Sequence, residues 1–386
     1  MDKLLSRSSY RDERIFFLKW FSVTLRSFFL LGLFTLQACS DDNVNTANHY
    51  NSKNIFSYTL VKIDSIVLQD NNNFVFGSFK DAAYWKNKIF IADHINNTVW
   101  IFDENYKIIK KIGRKGRGPG EFISSPHIVT TPNKIVFTDH YGKKVEVYND
   151  RLEHIKTSRY PKEIYIQPKD WIYTYEAYIM WALTPGKRKN FYNEKSAAAL
   201  NQNFELERQF LEWLNPYNGA DTYSIYNTYL TLSNGSDETF FVLQGAHFDN
   251  FFQIDKNFNI IKTFGTYPKG FKAPPENIKV EEVASSFQAT AEYVAQITKV
   301  FKMDYDSTNH LLFCNYVNYT EEANYLRTAF LGDHFIQVYN ENYDSVFEGE
   351  IDGPLMFIHD SKIYVIASEE PDNVKIIIYK LTPNES

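Results

Sequence analysis

The chain has 386 residues and a formal net charge of −6, from 41 Lys and Arg against 47 Asp and Glu. Aromatics make up 17%, with 27 Tyr and 32 Phe, while only 16 Gly and 13 Pro exclude a collagenous or low-complexity chain. Two cysteines exclude a disulfide framework, and the acidic balance argues against nucleic-acid binding, which needs clustered Lys and Arg to neutralise phosphates.

The first 39 residues read as an export signal. Lys3, Arg7, Arg11, Arg14, Lys19 and Arg26 form a basic region, followed by the apolar run 28–36. That run is far short of the roughly 20 residues that span a bilayer. It ends in Leu36-Gln-Ala-Cys39, which resembles the lipobox of bacterial lipoproteins and implies lipidation of Cys39. An uncleaved anchor or an ordinary secretory signal are the alternatives. Cleavage would remove a net +3 and leave the mature chain near −9. Ser40-Asp41-Asp42 resembles the acidic tag that sends Bacteroidetes lipoproteins to the outer face of the outer membrane. The expected division is a signal peptide over 1–38, a polar tether over 39–54 and a folded body over 55–383.

The body repeats. Residues 88–103, with Lys-Ile-Phe-Ile-Ala-Asp-His at their start, return at 134–149 as Lys-Ile-Val-Phe-Thr-Asp-His, 46 residues on. A repeat of this length built from short strands is the pattern of a β-propeller blade. Counting the second strand outward from the axis gives six copies: 88–93, 134–139, 176–183, 238–244, 310–315 and 362–368. Asp- and Asn-rich turns at 103–106, 149–151, 255–258 and 340–343 punctuate the outer hairpins. The sixth copy runs out before its fourth strand, and 58–68 has strand character with no other partner. The fold class expected is all-β, a six-bladed propeller with an N-terminal strand closing the last blade. Two insertions, 266–298 and 318–333, interrupt the spacing, and the first ends in an amphipathic helical period.

Between the first two copies lies Ile112-Gly-Arg-Lys-Gly-Arg-Gly-Pro-Gly-Glu-Phe122. This string resembles the G-x-x-G-x-G-P-G-E-F linker of Bacteroidetes six-bladed propeller lipoproteins, relatives of NHL-repeat propellers. The resemblance implies the fold over 55–383 and little about activity. Physically, the glycines permit a tight descent from an outer to an inner strand, Glu121 is placed to cap backbone N–H groups, and Phe122 to pack between blades. Arg114, Lys115 and Arg117 offer cationic donors to an anion or stay solvated.

The candidate ligand-binding residues are Asp93, His94, Arg117, Glu121, His127, Asp139 and His140. A His beside a carboxylate is raw material for metal binding or acid–base work. Neighbours on a strand point to opposite sides, however, so Asp93 and Asp139 are first expected to cap the turns that follow them. The channel is expected to show His127, Tyr165 or Tyr173, Tyr229 and Phe301. No G-x-S-x-G, H-E-x-x-H or P-loop string occurs, and no cofactor, metal or catalytic residue is expected. The Trp residues are candidates for stacking on sugar rings or for the core between blades. Together these features point to a lipid-anchored outer-membrane module, with the membrane as one partner and a peptide, glycan or protein as the other. That ligand is expected on the face of the B–C and D–A loops. The alternatives are a metal-dependent hydrolase or lyase of the NHL-like propeller type and a purely structural envelope component.

Overall fold

The computed structural model describes residues 57–69, 75–163, 165–183, 195–212, 214, 230–236, 238–275, 280–283, 285–319, 332–370 and 373–384. The expected signal peptide, Cys39 and tether lie outside the described residues, as do Trp213, Tyr229 and most of the insertion 318–333. Residues 54–386 form one compact unit.

Six four-stranded antiparallel sheets follow one another along the chain. In each, strands A to D run from the axis outward. Blade one is β2 (Phe79–Trp85), β3 (Lys88–Asp93), β4 (Thr98–Phe102) and β5 (Ile108–Ile112). Blade two is β6 (His127–Thr130), β7 (Ile135–Asp139), β8 (Lys144–Tyr148) and β9 (His154–Arg159). Blade three is β10 (Tyr165–Thr174), β11 (Ala177–Leu183), β12 (Lys195–Leu200) and β13 (Leu206–Glu212). Blade four is β14 (Leu230–Asn234), β15 (Thr239–Gln244), β16 (Phe251–Asp255) and β17 (Ile260–Phe264). Blade five is β18 (Thr298–Asp306), β19 (Leu311–Tyr319), β20 (Gly332–Tyr339) and β21 (Ser345–Ile351). Blade six is β22 (Leu355–His359), β23 (Lys362–Glu370) and β24 (Asn373–Pro383), and its outermost strand is β1 (Tyr58–Gln69). β1 pairs with β24 from Tyr58↔Pro383 to Gln69↔Asn373, so the two ends of the described chain share one sheet.

Among the described residues, six of the seven apolar clusters each lie between two neighbouring blades. Along β3, Ile89 and Ile91 pack toward blade six while Phe90 and Ala92 pack toward blade two. Period-two alternation therefore sends successive side chains to different neighbours, and the middle strands are buried on both faces. Outer strands such as β9 and β17 are largely exposed. Trp85, Trp100, Trp171 and Trp181 are all buried in these inter-blade clusters, and so is Cys314, whose thiol burial pushes upward out of the reactive range.

The insertion between blades four and five carries two helices, α1 (Val280–Val283) and α2 (Phe287–Ala295). Ser286 caps α2 by accepting the Ala289 N–H at 3.0 Å. Tyr293, Val294 and Ile297 pack with Val283 and Tyr319 into a small satellite core.

Candidate functional site

Asp93 and Asp139 end equivalent B strands and are fully buried. Asp93 accepts backbone N–H groups from both Gly77 (2.9 Å) and Ile95 (3.0 Å), and the Asn96 amide at 2.7 Å. Asp139 does the same with Ile123 (2.7 Å) and Gly142 (3.0 Å), and takes the Ser124 hydroxyl at 2.6 Å. Each carboxylate thus fastens the approach to strand A and the B–C turn of its own blade. Blade four uses Gln244, which bonds Leu214 N and Glu212 O, and blade five uses Asn315, which takes the Leu355 N–H of the next blade. The partner histidines diverge: His94 is exposed and 2.9 Å from Ser125 Oγ, while His140 lies half-buried beside the Tyr141 ring.

The linker folds around its own acid. Glu121 accepts the Gly118 N–H at 2.8 Å and the Arg114 Nε–H at 2.7 Å. The Gly118 N–H first, and then Arg114, hold its carboxyl below the usual range. Gly113 sits at φ +85°, and a Cβ there would meet the Phe122 ring at 2.4 Å. Phe122 is fully buried between blades one and two. The anion-binding potential of this glycine-rich loop is therefore occupied in cis, and Arg117 remains exposed at its edge.

The central channel is where chemistry-bearing groups from different blades meet. A cavity of about 230 Å³ is lined by all six inner strands. Its residues lie next to the A–B turns, among them Tyr84, Thr130, Tyr173, Asn234, Asp304 and His359. This is the side opposite the B–C and D–A loops, where sequence reasoning expects the ligand. His127 and Tyr173 are the expected channel residues that line it. Phe301 instead packs on Phe79 outside the lining, and the Tyr165 side chain lies outside the described residues. None of the other named candidates borders it.

Three unexpected charges organise the wall. Asp81 on β2 accepts the Ile128 N–H of blade two at 3.0 Å and lies 3.7 Å from His127 Nδ1. Lys302 on β18 crosses to blade one, donating to Asp81 Oδ1 at 3.2 Å and Ala82 O at 2.8 Å, and also to Met356 O of blade six at 2.7 Å. Asp304 accepts the Ile358 N–H of blade six at 2.7 Å and the Tyr305 N–H at 2.9 Å. Burial raises the Asp81 carboxyl, but Lys302, His127 and the Ile128 N–H outweigh it and hold the group well below the carboxylate range. For Asp304 burial wins, and its carboxyl is pushed up despite Lys302 and the two N–H donors. Among the described residues no three His, Cys, Asp or Glu side chains gather as a metal site, and no helix is long and apolar enough to cross a membrane.

Over residues 37–215 the sequence matches a family model described as a 6-bladed beta-propeller. Among curated proteins no match was found. The solved structure of a duf4221-family member from Bacteroides vulgatus superposes with a TM-score of 0.61 at 11% identity, covering 85% of this chain and 99% of that one. A Bacteroides fragilis protein described as exported gives a TM-score of 0.54 at 14% identity, covering 88% and 98%. At such identities the likeness is one of fold. The chain is a six-bladed β-propeller, similar in architecture to these two Bacteroides proteins.

Proposed function

We propose that this protein is a cell-envelope binding module that engages a peptide, glycan or partner protein at the A–B mouth of its channel. The observation that carries this reading is the convergence of polar side chains from several inner strands on one cavity, each fixed by bonds to the next blade. Such pre-organisation lowers the ordering cost of binding. Lipid anchoring at Cys39 and an outer-membrane location are supported by the lipobox-like tetrapeptide and acidic tag. An envelope location also fits the similarity to a protein described as exported.

The metal-dependent alternative finds less support. The carboxylate nearest His127 is already ion-paired to Lys302, and the Lys302 ammonium is held by three wall oxygens. Binding of peptide and glycan libraries to wild type, Asn234→Trp and His140→Ala tests the reading. The module reading expects signal lost on filling the mouth with Trp and kept in His140→Ala. The reverse pattern would move the site to the opposite face.

A further inference from the structure

We infer that the channel mouth takes a primary ammonium or guanidinium group on a slender stem, such as the end of a lysine or arginine side chain. This rests on the channel-binding reading above and names the chemistry of its ligand.

The local charge balance of the cavity favours a cation. Among the described residues, two carboxylates, Asp81 and Asp304, and one ammonium, Lys302, line the cavity. An ammonium has three hydrogens, and those of Lys302 have acceptors in the wall: Asp81 Oδ1, Ala82 O and Met356 O. Lys302 therefore neutralises Asp81 and has no hydrogen left for an incoming anion. Asp304 is different. It has no cation within 4.0 Å among the described residues, and each of its oxygens takes a single backbone N–H. A carboxylate oxygen has room for a further donor.

The surroundings favour positive charge as well. Tyr84, Tyr173 and Phe357 line the same cavity, and aromatic faces attract cations. Thr130 and Asn234 add side-chain oxygens. At the rim, Glu104 accepts from the Tyr84 hydroxyl at 3.2 Å and Asp360 lies 3.4 Å from His359 Nε2. Among the described lining residues, an anion entering here meets Asp304 and a Lys302 already occupied by wall acceptors. A neutral ring would desolvate Asp304 without compensating it. The cavity, at about 230 Å³, is also below the roughly 300–1,000 Å³ usual for drug-sized ligands. A slender group fits that volume better than a bulky one.

Calorimetric titration of the full chain at pH 8 tests this. The probes are N-acetyl-lysine methylamide, agmatine, the neutral N-acetyl-norleucine methylamide and N-acetyl-glutamate. Both cationic probes should bind at least about tenfold tighter than the neutral analogue, and Asp304→Asn should remove that preference while its thermal unfolding stays cooperative. Tighter binding of the lysine derivative than of agmatine assigns the group to a side chain, and the reverse assigns it to a free amine. Equal binding of the neutral probe, preference for the glutamate, or no cation binding at all overturns the inference and leaves the channel module standing. Cation binding that survives both Asp304→Asn and Asn234→Trp overturns the channel site itself. Should Asp304→Asn not fold, the wild-type ratio of cationic to neutral probe decides alone.

Discussion

Asp81 and Asp304 face the same channel from two inner strands and carry opposite shifts, because Lys302 and His127 outweigh burial at Asp81 while burial prevails at Asp304. The sign of each follows from linkage. Asp81, with its folded pKa depressed, contributes stability above the ordinary carboxylate range that is lost as pH falls toward its depressed value. His247, buried on the B–C turn of blade four, is lowered by that burial from 6.5 to about 4. The unfolded chain binds its proton first, so stability also falls as pH drops from 6.5 toward 4. Asp304 works the other way: its folded pKa is raised, so its burden is present at neutral pH and is relieved by protonation. Asp304→Asn keeps an acceptor oxygen for the Ile358 N–H, gives up the second oxygen that faces the Tyr305 N–H, and sheds the buried charge. Relative to wild type it should therefore gain stability in urea as pH rises through the carboxylate range to 7.5. A relative stability that stays flat or falls over that range would show that the folded carboxyl is not raised. Such a group, costly to stability and open to a cavity, is a common mark of a binding residue. None of this is local in sequence: Lys302 and Asp81 stand 221 residues apart. His127 was readable only because its strand leads into the repeated Asp139 motif.

Single strands explain what the repeat pattern could and could not reveal. A B strand packed between two neighbours is apolar at nearly every position, as in β7 and β15, so the six copies stand out as short hydrophobic runs. Inner strands alternate between wall and interface and carry no common motif, which is why Tyr173 was found and Asp304 was not. The dyads were legible as turn chemistry because Asp and His must diverge on a strand, and Asp93 and Asp139 indeed bond both flanking loops. Among outer strands β1 has a distinct role, since it pairs with the last strand of the described chain. Leu68 sits near its end, buried in the core between blades six and one. Leu68→Ala should cost about 2–4 kcal/mol in denaturant unfolding. A loss under about 0.5 kcal/mol would mean that β1 contributes little to joining the ring.

At the scale of the molecule, apolar burial among the described residues is divided chiefly among six interfaces between blades. That division leaves the channel free to hold polar groups, and the ring fixes them. Lys302 reaches from blade five to blades six and one, Asp81 from blade one to blade two, and Asp304 from blade five to blade six. Four of the six blades are tied at the cavity wall by these bonds. The glycine-rich linker, by contrast, spends its donors on Glu121 and serves the join between blades one and two. On the proposed function, ligand enters from the A–B side. Hydroxyl-radical footprinting of the full chain, with and without its best library ligand, tests this directly. Entry at the channel mouth should protect Tyr84, Tyr173 and His359 and leave His94 and the highly exposed Tyr141 unchanged. Protection of Tyr141 and His94 with none at the channel mouth would contradict it.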